Sequence, residues 1–304
     1  MRAQVVLTPA ESKCYISKAI ARMDVVKKAL DSGMLVIHPS STTYFLVKEI
    51  TGDIPRTNHW VLGAVFPQGL CTEANSSGKR PPADPKTPPP PPPKWSADRF
   101  PFKWVIKDGK FSSGTSLGQL MEEIGPKDCY VKGCNAVDIE GNAGVLFGHD
   151  GGGTIARVML EQKQKGFQVV LAVGLEKLLP VSIMDAAKAT RRAHDVDYGM
   201  GMPCGLYPVK VGKNVTSVTE IQATKILSGA EAIPVAAGGV GGAEGAIVLA
   251  IEGTKSQVTK AIDFIEQSKG VKMPLARPLP CQMCGSMDCH FCVSEKHWYP
   301  RWVG

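Results

Sequence analysis

The sequence lacks the features expected of membrane, secreted and nucleic-acid-binding proteins. It has no run of 18 consecutive apolar residues, so no membrane-spanning helix is expected. The N-terminal stretch has neither a long apolar core nor a small-residue cleavage site, which indicates a chain without a secretory signal. No run of five or more basic residues occurs, and a net charge of +7 is mild for a nucleic-acid-binding surface. The sequence therefore predicts a cytoplasmic chain with no membrane or nucleic-acid partner.

The nine cysteines do not have the even number and regular spacing of a disulfide framework. Five of them occur singly: Cys14, Cys71, Cys129, Cys134 and Cys204. Scattered thiols beside one cluster are typical of a reducing compartment. With 43% hydrophobic and 21% charged residues, the composition is that of a globular chain.

Strands and helices alternate over most of the chain, which predicts an α/β fold. Thr8 and Glu11 match a capping box with Pro9 between them, so a helix is expected to begin there and to end at Gly33. The continuous apolar run 34–37 then predicts a buried strand of a parallel sheet. Further strands and helices follow from residue 128, and residues 206–270 indicate the order β-α-β-β-α.

Residues 52–127 interrupt this alternation and are interpreted as an insertion. They contain six consecutive prolines at 88–93, which favour an extended polyproline conformation. A hairpin is predicted around Asp108-Gly109. The sequence thus predicts an α/β domain at 1–205 that carries the insertion, a small α+β lid-like unit at 206–275 and a tail at 276–304. The proline-rich arm is one candidate for docking a protein partner.

Two loops are candidate ligand-binding sites because each lies between a buried strand and a helix. Backbone N–H groups of such loops point toward the carboxyl edge of a parallel sheet, where ligands bind. The hydroxyls of the first loop could alternatively serve only as helix caps, and the glycines of the second could form only a flexible turn. The candidates are Ser40, Ser41, Thr42 and Thr43 in the first loop, Lys132, Asn135, Asp138, Gly151, Gly152, Gly153 and Thr154 in the second, and Lys177 at the end of a later strand.

The same segments resemble the NagB/RpiA/CoA-transferase-like superfamily. A helix, the strand SGMLVI and the Ser/Thr loop look like the opening of ribose-5-phosphate isomerase A and of the sugar-binding domain of DeoR-type regulators. The stretch VKGCNAVDIEGN…GGGTIAR is similar to the G-A-D-E-x-D…N…GGxxxR run of the isomerase and to the T-G-x-N-A-I-T…G-T pattern of the lactate-utilisation (LUD) domain. The LUD strand V-V-G-x-x-K-I-V-P also resembles VVLAVGLEKLLP. The resemblance covers about 17–50 and 128–182, and implies a NagB/RpiA-like sheet with a small lid and a phosphate held in the Ser/Thr loop.

The chain departs from the isomerase pattern at its acidic residues. The aligned positions hold Lys132, Asn135 and Asp138, and Val158 follows Arg157. The base that would abstract a proton beside a carbonyl is therefore missing from its expected place, and ribose-5-phosphate isomerase activity is not expected. Asn135 and Lys132 are better suited to holding a carboxylate or phosphate. Cys134 lies in the same loop and could be a nucleophile or an inert buried thiol.

The tail holds four cysteines in twelve positions, with the spacing C-x2-C-x4-C-x2-C. Each C-x2-C pair can place two thiolates on one ion, and four thiolates suit zinc or iron. We predict a structural zinc site, with an iron–sulfur cluster or no metal as alternatives. His290 and His297 are alternative ligands, and the aromatic residues at 298–302 could dock the tail on a partner. The predicted ligands are Cys281, Cys284, Cys289 and Cys292.

Together these patterns predict a protein that binds a small anionic metabolite, namely a sugar phosphate, a carboxylate or a thioester. An enzyme of isomerase or acyl-transfer type is the first hypothesis. The alternative is a non-catalytic ligand sensor or a scaffold subunit of a metabolic or redox complex, which the missing isomerase acids favour. A homo-oligomer is expected.

Overall fold

The computed structural model describes residues 1–53, 61, 63–67, 69–72, 103–148, 151–190, 201, 203–274 and 276. This part of the chain forms eight α-helices and fourteen strands. The helices are α1 (Pro9–Ala21), α2 (Asp24–Ser32), α3 (Ser41–Thr51), α4 (Leu117–Glu123), α5 (Gly153–Lys165), α6 (Ile183–Ala189), α7 (Glu220–Ser228) and α8 (Lys255–Glu266). The strands are β1 (Arg2–Leu7), β2 (Met34–Ile37), β3 (Gly63–Phe66), β4 (Gly69–Thr72), β5 (Lys103–Lys107), β6 (Lys110–Thr115), β7 (Cys129–Gly133), β8 (Ala136–Val137), β9 (Ala143–Phe147), β10 (Gln168–Ala172), β11 (Gly205–Val209), β12 (Val215–Val218), β13 (Glu231–Ala237) and β14 (Ile247–Glu252).

A six-stranded sheet in the order β12-β10-β7-β2-β5-β6 forms the centre of the fold. Its first four strands are parallel, whereas β5 and β6 are antiparallel and form a hairpin. The buried parallel strand predicted at 34–37 is confirmed as β2. The predicted hairpin is also confirmed, because Asp108 and Gly109 form its turn with φ of 51° and 68°. The chain is thus an α/β protein.

Both faces of the sheet are covered over its central strands β2, β7 and β10, as the unbroken apolar run of β2 requires. Side chains alternate between the faces, so Leu35 and Ile37 lie on the first face and Met34 and Val36 on the second. Helices α1, α3 and α7 cover the first face, and their core continues into a smaller antiparallel sheet, β1-β14-β13. Helices α4 and α5 cover the second face together with the sheet β11-β9-β8. Among the described helices, none is both long and apolar enough to cross a bilayer.

Two strands lie in different sheets from their neighbours in sequence. β1 pairs with β14 in the smaller sheet, although the segment after it belongs to the large sheet. β12 pairs with β10 in the large sheet, although it follows the boundary predicted at 205/206. The order observed over 205–266 is therefore β-β-α-β-β-α, and the helix predicted from residue 218 begins at Glu220, with Thr219 as its N-cap.

The first helical segment is divided in two. The capping box is confirmed, because Glu11 N–H donates to Thr8 Oγ1 at 3.5 Å and Thr8 N–H donates to Glu11 Oε2 at 2.9 Å. The helix ends at Ala21, and α2 begins at Asp24. Arg22 lies at this break, where it pairs with Glu49 of α3 at 2.7 Å and so ties the break to the neighbouring helix.

Candidate functional site

The connections of β2 and β7 leave the large sheet in opposite directions. The chain after β2 passes through α3, on the first face, and returns to the sheet at β5. The chain after β7 passes through α5, on the second face, and returns at β10, on the other side of β7. Such a divergence leaves a crevice at the carboxyl ends of the two strands, and open α/β sheets bind their ligands there.

Three basic side chains lie at the same level of this edge, and we call them the basic cluster: His38, Lys103 and Lys132. Ile37 is opposite both Trp104 and Val131 in the strand register. One position nearer this edge, His38 follows Ile37, Lys103 precedes Trp104 in the antiparallel β5, and Lys132 follows Val131. The three are therefore neighbours on one face of the sheet. They are buried, with 5%, 0% and 7% of their surface exposed.

Burial and mutual repulsion disfavour the charged forms of the cluster. Desolvation lowers the pKa of Lys132 to about 8. The pKa of Lys103 lies well below 10.5, because of desolvation and then of the nearby Lys132 charge. Desolvation, followed by the charges of the two lysines, holds the pKa of His38 well below 6.5. His38 is therefore neutral at pH 7, whereas Lys132 is mostly protonated.

The His38 imidazole is fixed by its neighbours. Its Nδ1 shares a hydrogen bond of 3.0 Å with the Tyr130 hydroxyl, which belongs to β7. The His38 backbone N–H donates to the Val131 carbonyl at 2.8 Å. Tyr130 is fully buried and lies two residues before Lys132 on β7, so this pair is on the same face of the sheet as Lys132.

No carboxylate within the described ranges forms an ion pair with Lys132. Glu176, which follows β10, is paired elsewhere: its Oε1 lies 2.5 Å from Lys13 Nζ and 3.8 Å from Lys177 Nζ. A buried ammonium without a counter-charge is strongly unfavourable. A small anion in the crevice would supply that charge.

The Ser/Thr loop lies directly over the end of β7. A Cβ atom added to Gly133 would lie 2.5 Å from Ser40 Oγ, so this glycine is needed for the close approach. Ser40 Oγ accepts from Thr43 N–H at 3.2 Å, and Thr43 Oγ1 donates to the His38 carbonyl at 2.6 Å. These two hydroxyls therefore cap α3 and fix the loop, while Thr42 is buried and Ser41 is partly exposed.

Asn135 and Asp138 hold turns of the second loop. Asn135 Oδ1 accepts from Leu146 N–H at 3.1 Å. Asp138 accepts from the N–H groups of Glu140 and Asn142 and from that of Ile183, the first residue of α6. Burial alone would raise the pKa of Asp138, but these hydrogen bonds lower it below its usual value. The Asp138 carboxylate thus stabilises its own turn and the start of α6.

The glycine run forms a tight turn before α5. Gly151, Gly152 and Gly153 have φ of 86°, 86° and 61°, which side-chain-bearing residues rarely adopt. A Cβ atom on Gly152 would lie 2.8 Å from both Ala156 Cβ and Tyr207 Cδ2. Thr154 follows in the first turn of the helix. The positive φ angles therefore favour glycine at all three positions, and packing also excludes a side chain at Gly152.

Lys177 connects the end of β10 to the second loop. Its Nζ donates to the Cys134 carbonyl at 3.0 Å. Desolvation, followed by the charge of Lys13, lowers the pKa of Lys177. Cys134 itself is 3% exposed, and desolvation raises the pKa of its thiol to about 12. The thiolate is therefore scarce at neutral pH, which favours the interpretation of Cys134 as an inert thiol.

Sequence reasoning missed three residues of this edge. His38 immediately follows the apolar run of β2, and Lys103 precedes the run Trp104–Ile106, so strand alternation would place both on the face of Lys132. Glu220 is 1% exposed, and its carboxylate accepts from Leu175 N–H at 2.9 Å. Desolvation raises the pKa of Glu220. The sequence pattern predicts a helix from residue 218. It therefore gives no sign that Glu220 comes directly after the end of a strand, β12.

The four tail cysteines, their alternative histidine ligands and the proline-rich arm lie outside the described residues. Within the described ranges, no group of three or more His, Cys, Asp or Glu residues is arranged to hold a metal ion. The zinc site at Cys281, Cys284, Cys289 and Cys292 stays a prediction.

Comparison of the chain with protein-family models, curated proteins and solved structures gives no match. Function is therefore inferred from the geometry of the carboxyl edge.

Proposed function

We propose that this chain binds a small anionic metabolite, a carboxylate or a phosphate, in the crevice between the carboxyl ends of β2 and β7. The observation that carries the proposal is Lys132, a buried ammonium with no carboxylate partner among the described residues. His38 and Lys103 lie beside it at the same level of the sheet. The resemblance to NagB/RpiA-like proteins agrees with a ligand at this edge.

A comparison of the desolvation penalty with the Coulomb gain favours a bound anion. Desolvation lowers the pKa of Lys132 from 10.5 to about 8, which corresponds to about 3 kcal/mol against the charged form. An anion about 4 Å from an ammonium gains about 4 kcal/mol at the effective dielectric of a partly buried site. One bound anion therefore offsets the penalty, and the site is stable when occupied.

Anion binding is a better-supported role for this site than acid–base catalysis in which a carboxylate is the acid or base. An isomerase or acyl-transfer reaction would need a carboxylate directed into the crevice. Glu176 is paired with Lys13, and Glu220 accepts from Leu175 N–H. These partners hold both carboxylates in structural roles at the end of β10.

Calorimetric titration of inorganic phosphate and of pyruvate into the protein tests the proposal. A charge-assisted contact contributes about 1.5–3 kcal/mol, so Lys132→Met is expected to weaken binding of the bound anion by about tenfold or more. Affinity of the unmodified protein is expected to fall as the pH rises through about 8, because Lys132 loses its proton there.

The matched control is Lys28→Met, which removes an exposed lysine of α2. Its affinity for both anions is expected to equal that of the unmodified protein. Equal affinities for the Lys132 variant and the unmodified protein would show that the anion binds elsewhere.

A further inference from the structure

Lys132 has the properties of an amine that attacks carbonyl groups. It lies at the end of a buried strand, where the backbone of β7 holds it between β2 and β10. The residue is 7% exposed, so it is largely shielded from water without being fully enclosed. Desolvation brings its pKa to about 8, and a neutral amine is therefore available near neutral pH.

We propose that Lys132 forms an imine with a small carbonyl compound that also carries an anionic group. This inference rests on the proposed anion site and names the substrate class of that site. The carboxylate or phosphate of the compound would lie beside His38 and Lys103, the other two members of the basic cluster. Its carbonyl carbon would lie against the Lys132 nitrogen.

The step balances without an oxidant or a further reactant. The neutral Lys132 nitrogen attacks the carbonyl carbon, a C–N bond forms as the C=O π bond breaks, and the carbonyl oxygen takes up the proton that the nitrogen releases, which gives a carbinolamine. Loss of the hydroxyl as water, with a proton from the nitrogen, then leaves a C=N bond. One carbonyl compound and one amine thus give one imine and one water, and hydrolysis reverses the step.

The neighbours of Lys132 leave it as the reacting amine. His38 is uncharged at neutral pH and shares its hydrogen bond with Tyr130, so this pair adds no positive charge beside the amine. Lys103 is 0% exposed, whereas Lys132 is 7% exposed. Of the two lysines, Lys132 is therefore the one that a ligand can reach from solvent.

Reductive trapping tests the inference. The full-length protein is incubated with glyoxylate or with pyruvate and cyanoborohydride at neutral pH, and the adducts are mapped by peptide mass spectrometry. We expect the main adduct on Lys132, formed at least about tenfold faster than on Lys28. An adduct that forms mainly on Lys103, or no preference for Lys132 with either compound, would overturn the inference.

Two further comparisons distinguish imine formation from simple anion binding: the variant Lys132→Arg and the ligand lactate. The arginine keeps the positive charge but forms no imine, so it is expected to retain lactate binding and to lose the rapid adduct. Lactate has a hydroxyl in place of the ketone of pyruvate. If lactate and pyruvate bind the unmodified protein equally and Lys132 is not labelled, the imine is refuted and the anion site stands. If neither anion binds and no adduct forms, both proposals fail.

Discussion

Replacing Lys132 by methionine should raise the free energy of unfolding of the ligand-free protein at pH 7 by up to about 3 kcal/mol. The folded chain holds this lysine with a pKa of about 8, whereas the unfolded chain has the usual value of 10.5. The charged form is therefore less stable in the folded protein. Methionine has a similar length and no charge, so it removes this penalty.

The gain in free energy of unfolding of the methionine variant over the unmodified protein should decrease as the pH rises. Below about pH 8 the penalty is complete, and the methionine variant has its full advantage. Between about 8 and 10.5 the unfolded chain binds more protons at this position than the folded chain, so the advantage decreases as the pH rises. Above 10.5 it should vanish. The Lys132 charge also lowers the pKa values of His38 and Lys103, so the difference between the two proteins includes this coupling as well as the titration of Lys132 itself.

Urea denaturation over a series of pH values measures this difference. Lys28→Met is the control, and its stability should stay within about 0.5 kcal/mol of the unmodified protein. A Lys132 variant that is less stable than the unmodified protein at pH 7 would mean that the folded chain itself neutralises this ammonium.

The second large effect is expected at the ion pair between Lys13 of α1 and Glu176. Their side chains are 9% and 14% exposed, and Lys13 also donates to the Pro9 carbonyl at 3.2 Å. Lys13→Met leaves the Glu176 carboxylate largely buried, with only Lys177 nearby at 3.8 Å. Removal of one partner of a buried pair costs about 3 kcal/mol, and we expect a loss of that order.

A double-mutant cycle distinguishes the pair from lost packing. The double variant Lys13→Met with Glu176→Leu removes both charges, so it should be more stable than Lys13→Met alone. Lys188→Met breaks an exposed pair with Asp185, whose side chains are 70% and 65% exposed, and should cost less than about 1 kcal/mol. Equal losses for Lys13→Met and Lys188→Met would contradict the account of this edge.

Local structure is predictable where short-range chemistry determines it. The capping box at Thr8, the apolar run of β2 and the Asp-Gly turn each depend on contacts within a few residues. The position of Lys132 at the end of a strand follows from the same apolar patterns. The amino-acid sequence alone therefore identifies one member of the basic cluster.

The neighbours of Lys132 are not predictable in the same way. Lys103 lies within the segment 52–127 that the sequence pattern assigns to an insertion. It reaches the site only because β5 pairs with β2, a long-range contact that no local pattern encodes. The pairing of β1 with β14 in the smaller sheet and of β12 with β10 in the large sheet is a long-range feature of the same kind. The Ser/Thr and Gly motifs have two interpretations each. Only the three-dimensional contacts show that Ser40 and Thr43 hold the start of α3 and that Gly152 is closely packed.

The anion site itself can be located by anomalous diffraction from crystals soaked in tungstate. The account predicts an ion in the crevice between the carboxyl ends of β2 and β7, within hydrogen-bonding distance of Lys132 Nζ. A crevice without an ion, in crystals that bind tungstate elsewhere, would contradict the central claim.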